Sequence, residues 1–181
     1  LRLLAGTAGR LLASGNPHGI AEDLCGDVME HLDCQAFFNF MVDEQAGRLR
    51  LNACAGIPEE EIRKLEWLDY GVAVCGCVAR DKGRIVAEDI FHTPDERTEL
   101  VKSYGIRAYC CHPLMAGERL VGTLSFGTKT RDSFAHDEVD LMRAVADQVS
   151  VAMERIKSLQ ALRESEGRLQ AVLDHLPVGV W

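Results

Sequence analysis

Cysteine is the residue type in this 181-residue chain with the most potential for chemistry, because the chain has seven. Cys75 and Cys77 stand in a Cys-Gly-Cys sequence, and Cys110, Cys111 and His112 are consecutive. Thiolates and imidazoles bind zinc and iron, so these residues could indicate a metal site. Closed zinc sites, however, usually contain two CxxC-like pairs. Neighbouring strand residues also point to opposite faces, so Cys110 and Cys111 would not easily reach one centre. We favour buried thiols and expect no metal and no cofactor.

Most of the seven cysteines lie in apolar runs, and their number is odd. Both features favour reduced thiols in a reducing compartment over a disulfide framework. We therefore expect a cytoplasmic location. We also expect His112 to be a hydrogen-bonded polar residue at a strand edge and His92 to lie in a loop.

The composition is typical of a soluble globular protein, with 47% hydrophobic and 27% charged residues. The length fits one domain with helical extensions. The net charge of −8 repels phosphate backbones, and no cluster of Lys and Arg offsets it, so we expect no nucleic-acid partner. No apolar run approaches the roughly 20 residues that span a bilayer, so we expect no membrane contact by this segment.

Hydrophobic periodicity predicts an antiparallel α+β fold. Helices are predicted at residues 1–12, 18–32, 58–68 and 95–104, with a loop and short helix at 71–80. Strands are predicted at residues 35–42, 48–53, 84–87, 106–114 and 119–126, and the first and last pairs form hairpins.

A long helix is predicted from His136 onward, and its apolar residues have coiled-coil spacing up to Leu159. Leu162 then follows after three residues instead of four, and Gly167 comes soon after, which interrupts the repeat. The predicted seam consists of Met142, Val145, Val149, Ala152, Ile156 and Leu159. We favour a parallel homodimer through the N- and C-terminal helices; the alternative is an amphipathic helix that packs on its own sheet.

Three segments resemble the GAF domain family. Residues 71–80, Gly-Val-Ala-Val-Cys-Gly-Cys-Val-Ala-Arg, and the following strand that leads to Asp89 resemble the central GAF signature. Residues 106–128 resemble the last hairpin of the family, and Phe134 with residues 137–141 resembles the start of its closing helix. The resemblance covers residues 1–157, and the order and spacing of the segments make it specific.

The resemblance implies a GAF-like, PAS-related antiparallel sheet of five to six strands. The N- and C-terminal helices would flank one face, and short helices and loops would cover the other. A small ligand, of unknown identity, would lie between the sheet and this cover. The candidate lining residues are Phe38, Phe40, Trp67, Cys75, Asp89, Tyr109, Cys111 and Ser125. Two alternatives stay open: a filled core without a cavity, and Asp89 as a cap of the following turn.

Residues 163–181 resemble the start of a PAS domain. We therefore predict a GAF domain at 1–157, a linker helix at 158–174 and a truncated PAS start at 175–181. This order is similar to that of the input modules of bacterial sensor histidine kinases and cyclic-dinucleotide enzymes. It implies a non-catalytic sensory domain that binds a small ligand, dimerises and relays its state through the C-terminal helix.

Other functions resemble parts of the sequence less well. A ligand-free dimerisation scaffold is the first alternative. GAF-fold free methionine-sulfoxide reductases have a Cys similar to Cys75, but residues 90–105 lack the second Cys that such thiol chemistry needs. Bilin-binding GAF domains carry Cys-His on the helix before the last hairpin, whereas Cys111-His112 lies in a strand. We expect no catalytic residue in this segment.

Overall fold

The computed structural model describes residues 16–177 and 179. The helix predicted for residues 1–12 lies outside the described residues. The helices and strands are α1 (Pro17–Leu32), β1 (Ala36–Asp43), β2 (Arg48–Ala55), α2 (Glu59–Lys64), β3 (Trp67–Leu68), α3 (Ala73–Asp81), β4 (Ile85–Ala87), a 3-10 turn (Glu96–Thr98), α4 (Glu99–Ser103), β5 (Ala108–Ala116), β6 (Arg119–Thr128) and α5 (His136–His175).

The six strands form one sheet in the order β3-β2-β1-β6-β5-β4, and every neighbouring pair is antiparallel. Strands β1 and β6 are central and largely buried, because their apolar runs suit a position covered on both faces. The predicted antiparallel α+β sheet is confirmed, with six strands.

The helices α1 and α5 cover one face of the sheet. The side chain of Asn16 accepts a hydrogen bond from the backbone N–H of His18 (3.1 Å), which caps the start of α1. Glu138 accepts from the backbone N–H of Ala135 (2.7 Å) at the start of α5 and also pairs with Arg131. These two contacts fix where each helix begins, and the apolar faces of both helices join one core with the sheet.

The other face is covered by short segments, namely α2, α3, the 3-10 turn and α4, which enclose a second core. The helix predicted at 58–68 is wrong in its last turn: α2 ends at Lys64, and Trp67–Leu68 forms strand β3. Pairing with β2 explains the change, because Leu68 lies opposite Leu49 in the ladder and both are buried. Cross-strand pairs of apolar side chains stabilise a sheet, which favours strand over helix at this point.

Five of the six residues of the predicted coiled-coil seam are buried within the chain's own core. They are Met142, Val145, Val149, Ala152 and Ile156. The alternative interpretation, a helix that packs on its own sheet, therefore describes α5 up to Ile156. Leu159 is 48% exposed, and α5 continues without interruption past Gly167 to His175.

Among residues 16–177, no helix is both long enough and apolar enough to cross a membrane. The longest, α5, carries charged residues throughout.

Candidate functional site

Two cysteines from different elements meet below the sheet, on the face covered by the short segments. Cys75 lies in the first turn of α3, Cys111 lies in the middle of β5, and their Sγ atoms are 3.6 Å apart. Cys75 is 5% exposed and Cys111 is fully buried. All seven cysteines are free thiols.

A tight turn before α3 fixes the position of Cys75. The backbone N–H of Gly71 donates to the carbonyl of Gly76 (2.8 Å), and the N–H of Gly76 donates to the carbonyl of Val72 (3.0 Å). A Cβ atom on Gly76 would lie 2.4 Å from the carbonyl oxygen of Asp69, so only glycine fits there. The Cys-Gly-Cys sequence therefore has a packing reason: the glycine brings the start of α3 against the preceding chain.

Strand register places Cys111 in a row with two other site residues. Cys111 pairs with Ser125 on β6, and Ser125 pairs with Phe38 on β1. Residues opposite each other in a ladder share a face, so all three point toward the short segments. Tyr109, two residues before Cys111, points the same way.

The thiols belong to a buried cluster that also contains two hydroxyl groups. The Sγ of Cys75 is 3.2 Å from the hydroxyl of Tyr109 and 3.6 Å from that of Ser125. These hydroxyls are 2.5 Å apart, and the Ser125 hydroxyl also donates to the carbonyl of Phe38 (3.2 Å). Every polar side-chain atom of the cluster thus has a partner, as buried polar groups require.

The two thiols differ in acidity. The hydrogen bond from Cys111, opposed by burial and supported by the hydroxyls of Tyr109 and Ser125, lowers the pKa of Cys75 to about 7. Burial, followed by the hydrogen bond to Cys75, raises the pKa of Cys111 well above its usual range. Burial and the charge of Cys75 raise the pKa of Tyr109 in the same way. Cys75 is therefore the group of the cluster that ionises first.

A small apolar cavity adjoins Cys75 and has a volume of ≈ 20 Å³. This volume has room for about one water molecule, whereas small-molecule pockets measure roughly 300–1,000 Å³. The predicted pocket is therefore nearly filled by protein side chains. Its lining residues are Phe38, Phe40, Leu65, Leu68, Ala73, Val74, Cys75, Leu100, Val101, Tyr104 and Tyr109.

Six of the eight predicted site residues come together. Phe38, Phe40, Cys75 and Tyr109 line the cavity. Cys111 and Ser125 contact Cys75 directly. Sequence reasoning missed the lining residues from β3 and α4, such as Leu68 and Val101. If residues 67–68 are taken as a strand, Leu68 and Trp67 point to opposite faces of the sheet, and Leu68 can then be predicted in the lining.

Trp67 lies outside the site, which corrects its predicted place in the lining. It is opposite Arg50 in the ladder, and its ring lies under the guanidinium groups of Arg48 and Arg50, at 5.6 and 5.3 Å. The prediction placed Trp67 in the last turn of a helix over the cavity. Because the residue is in a strand, Leu68 points to the cavity and Trp67 points to the other face of the sheet.

Asp89 also lies outside the site, in an exposed turn after β4. Its backbone has a left-handed conformation (φ 47°), and its carboxylate is 2.6 Å from the Nδ1 of His92. Its carbonyl accepts from the backbone N–H groups of His92 and Thr93, both at 3.0 Å. The turn-cap alternative describes this residue, and His92 is an exposed turn residue as predicted.

Cys110 and His112 face the other core, so adjacent cysteines of β5 do point to opposite faces as predicted. His112 is not a satisfied polar residue at a strand edge: it is 3% exposed, and its Nε2 has no partner among the described residues. Burial and the charges of Arg84 and Arg143 lower the pKa of His112 to about 4.

In the part of the chain that the structure describes, no three His, Cys, Asp or Glu side chains form a potential metal site.

Comparison with curated proteins finds a similar sensor protein. The chain is 22% identical over 141 residues to the methyl sulfide methyltransferase-associated sensor of Methanosarcina acetivorans, which covers 75% of this chain and 14% of that protein. The chain thus spans about one seventh of the length of this curated relative.

Two solved structures share the fold at low sequence identity. The GAF domain from a phosphoenolpyruvate-protein phosphotransferase of Coxiella burnetii has a TM-score of 0.75 and 20% identity, and the match covers 88% of this chain and 95% of that one. The free methionine-R-sulfoxide reductase from Neisseria meningitidis, solved with its substrate, has a TM-score of 0.71 and 17% identity, with 87% and 89% coverage.

The GAF domain family model matches residues 16–153. This range contains the whole sheet, α1, the first part of α5, the short segments on the other face and the thiol cluster. The chain belongs to the GAF domain family.

Proposed function

We propose that this GAF domain is the sensory input of a multidomain signal-transduction protein and that α5 relays its state. The observation that carries this proposal is the double role of α5. Residues from Val139 to Ile156 are part of the core on one face of the sheet, whereas the helix beyond Leu159 is exposed. One continuous helix therefore joins the domain interior to whatever follows it.

The proposed input is a small molecule that enters next to Cys75. The present cavity of ≈ 20 Å³ is too small for such a ligand, so binding requires α4 or the start of α3 to move away from the sheet. A ligand shifts the domain only if it binds the opened and closed arrangements with different affinity. The cover consists of short segments, and such segments can open locally more easily than the long elements of a core.

The proposed partner is a second copy of this chain. Beyond the sheet, α5 exposes apolar residues at heptad spacing: Leu159, Leu162, Leu169 and Leu173, with Glu166 at the remaining seam position. The 18 residues from 158 to 175 extend about 27 Å as a helix. A parallel coiled coil of two copies would bury this stripe.

The proposed parent is a sensor histidine kinase or a cyclic-dinucleotide enzyme in the cytoplasm. The resemblance of residues 163–181 to a PAS start supports it, and the name of the curated relative contains the word sensor. The division into a domain at 1–157, a linker at 158–174 and a PAS start at 175–181 belongs to this proposal. Residues 178, 180 and 181 of the PAS start lie outside the described residues.

A glycine substitution in the full-length protein tests the relay. Gly167 lies in the exposed part of α5 with open space around it, so Gly167→Ala raises helix propensity without a clash. We expect a weaker response to the natural signal. Gly26→Ala is the matched control, because Gly26 also lies in a helix with open space but has no place in the relay. An unchanged response in Gly167→Ala would contradict the relay.

The nearly filled cavity favours one second candidate, a ligand-free dimerisation scaffold. Thermal unfolding of the 181-residue chain with cyclic nucleotides and small anions separates the two candidates. A concentration-dependent rise in Tm supports ligand sensing, because a ligand that binds only the folded state stabilises it. The reductase alternative has a thiol pair in contact but lacks room for a methionine sulfoxide, and an assay of methionine-sulfoxide reduction tests it directly.

A further inference from the structure

We propose that Cys75 and Cys111 form a reversible disulfide when the chain meets a small hydroperoxide. The thiol cluster would then be a redox modification site. This inference goes beyond the proposed relay and does not rest on it. Disulfide formation is measured on the isolated chain and the relay on the full-length protein, so either can fail without the other.

The geometry needs little rearrangement. The two Sγ atoms are 3.6 Å apart, and a disulfide bond is about 2.05 Å long. Each atom therefore has to move by less than about 1 Å, which small rotations of the side chains can provide. Cys75 comes from α3 and Cys111 from β5, so the bond would join the covering segment to the sheet.

The environment gives the two thiols different roles. Thiolate is the nucleophilic form, and the hydrogen bond from Cys111, together with the contacts to the Tyr109 and Ser125 hydroxyls, favours thiolate at Cys75. Cys111 keeps its proton and donates it toward Cys75. Cys75 is therefore the thiol that attacks the oxidant, and Cys111 is the thiol that resolves the product.

The cavity limits which oxidants can reach Cys75. Cys75 lines it, whereas Cys111 lies behind Cys75 and does not. A volume of ≈ 20 Å³ admits a molecule of about the size of water, such as hydrogen peroxide. A bulky disulfide such as oxidised glutathione would need the cover to open first.

The reaction has two steps. In the first, the Cys75 thiolate attacks one peroxide oxygen, the O–O bond breaks, and the leaving hydroxide takes a proton to become water; Cys75 becomes a sulfenic acid. In the second, the sulfur of Cys111 attacks the sulfur of Cys75, the S–O bond breaks, and the hydroxide leaves as water with the Cys111 proton. In total, two thiols are oxidised to one disulfide and one peroxide is reduced to two waters.

The other cysteines have environments that disfavour this chemistry. Burial raises the pKa of Cys34 and of Cys110 to about 12. Burial also raises the pKa of Cys25 and of Cys54. Cys77 donates to the carbonyl of Gly71 (3.4 Å) instead of contacting another thiol.

The test is oxidation of the reduced 181-residue chain with a slight excess of hydrogen peroxide at neutral pH. After denaturation and alkylation with N-ethylmaleimide, fragmentation mass spectrometry locates any disulfide. We expect a Cys75–Cys111 bond that forms with loss of two hydrogens and that dithiothreitol reverses. No disulfide in the wild-type chain, or one between other cysteines, would overturn the proposal.

Variants assign the roles independently. Cys77→Ala with Cys110→Ala removes the sequence neighbours of both residues and should leave the bond intact. Cys111→Ser should instead leave Cys75 as a sulfenic acid, which dimedone traps. Loss of the bond in the Cys77/Cys110 variant, with circular dichroism showing a native fold, would contradict the assignment, and so would dimedone labelling at a residue other than Cys75.

Discussion

At the scale of single residues, the pKa of Cys75 depends on which side chains donate hydrogen bonds to its Sγ atom. Its Sγ accepts from the thiol of Cys111 and also contacts the hydroxyl groups of Tyr109 and Ser125. Burial alone has the opposite effect, as the raised pKa values of Cys25 and Cys110 demonstrate. Hydrogen bonds to an anion outweigh its desolvation only where several donors converge, and β5 and β6 bring them together at this point.

The lowered pKa of Cys75 predicts the pH dependence of its oxidation. Between pH 6 and pH 8 the thiolate fraction of a group with a pKa of about 7 rises roughly tenfold, and the rate of disulfide formation should follow. The titratable groups that face Cys75 are Cys111 and Tyr109, which both stay protonated over this range. Stopped-flow measurement of thiol loss checks the profile. A rise of nearly a hundredfold, as for an ordinary thiol, would contradict it.

His112 should make the chain sensitive to mild acid. Its folded-state pKa of about 4 lies below its ordinary value of 6.5, so the unfolded state binds more protons between these values. Stability from this group is present above pH 6.5 and is lost as the pH falls toward 4, by about 3 kcal/mol in total. His112→Gln, which does not titrate, should flatten the difference in unfolding free energy between pH 7 and pH 5 in urea titrations. An equally steep dependence in the variant would refute this role.

At the scale of elements, the turn before α3 determines where Cys75 lies. Gly76→Ala places a methyl group against the carbonyl of Asp69, and the turn has to shift to accept it. We expect a loss of about 2 kcal/mol or more in unfolding free energy, because the clash involves backbone atoms. Gly167→Ala, the same substitution in open space, should leave the midpoint of urea unfolding equal or higher. Equal stability of the two variants would show that the turn adapts freely.

The elements that the sequence could predict are those with a clear period. The two hairpins, α1 and the start of α5 follow from alternation and from the 3.6-residue repeat. Phe38, Phe40 and Tyr109 could be placed in the lining because strand alternation and the GAF resemblance agree for them. Trp67 could not, because two residues of edge strand carry no period of their own and depend on pairing with β2.

The sequence placed Cys75 and Cys111 in the same candidate lining but could not predict their direct contact. The comparison with free methionine-sulfoxide reductases predicts a second thiol within residues 90–105, whereas Cys111 lies on β5, 36 positions after Cys75. Only the packing of α3 across the sheet brings the two together. The turn position of Asp89 likewise depends on a bond from its N–H to the carbonyl of Asp132, which is distant in sequence.

At the scale of the whole molecule, the apolar residues of α5 pack against the sheet in its first part and are exposed in its last part. Up to Ile156 the repeat serves the domain's own core, and from Leu159 onward it has no partner within the described residues. The irregular spacing at Leu162 therefore coincides with the place where the helix leaves the domain. We interpret the irregular spacing as the point where the packing surface of α5 changes from its own sheet to a proposed second helix.

Substitutions in the exposed stripe test the proposed dimer. Leu162→Lys with Leu169→Lys places two charges at the seam and should weaken dimerisation of the 181-residue chain by at least about tenfold, because desolvating them is costly. Val151→Lys is the matched control: Val151 is also an exposed apolar residue of α5 but lies off the stripe. Sedimentation velocity over a range of concentrations measures the effect. A wild-type chain that stays monomeric, or equal dissociation constants for both variants, would exclude this interface.

Consecutive residues of strand β5 belong to the cores on opposite faces of the sheet, so this single strand contacts both the thiol cluster and α5. Cys111 belongs to the covered site, its neighbour Cys110 belongs to the core with α5, and the carbonyl of Met115 on the same strand accepts from the hydroxyl of Ser150 on α5 (2.6 Å). The proposed input site and the proposed output helix therefore contact the same strand, one on each side of it. A genetic screen for permanently active forms of the parent protein should accordingly recover changes concentrated in β5.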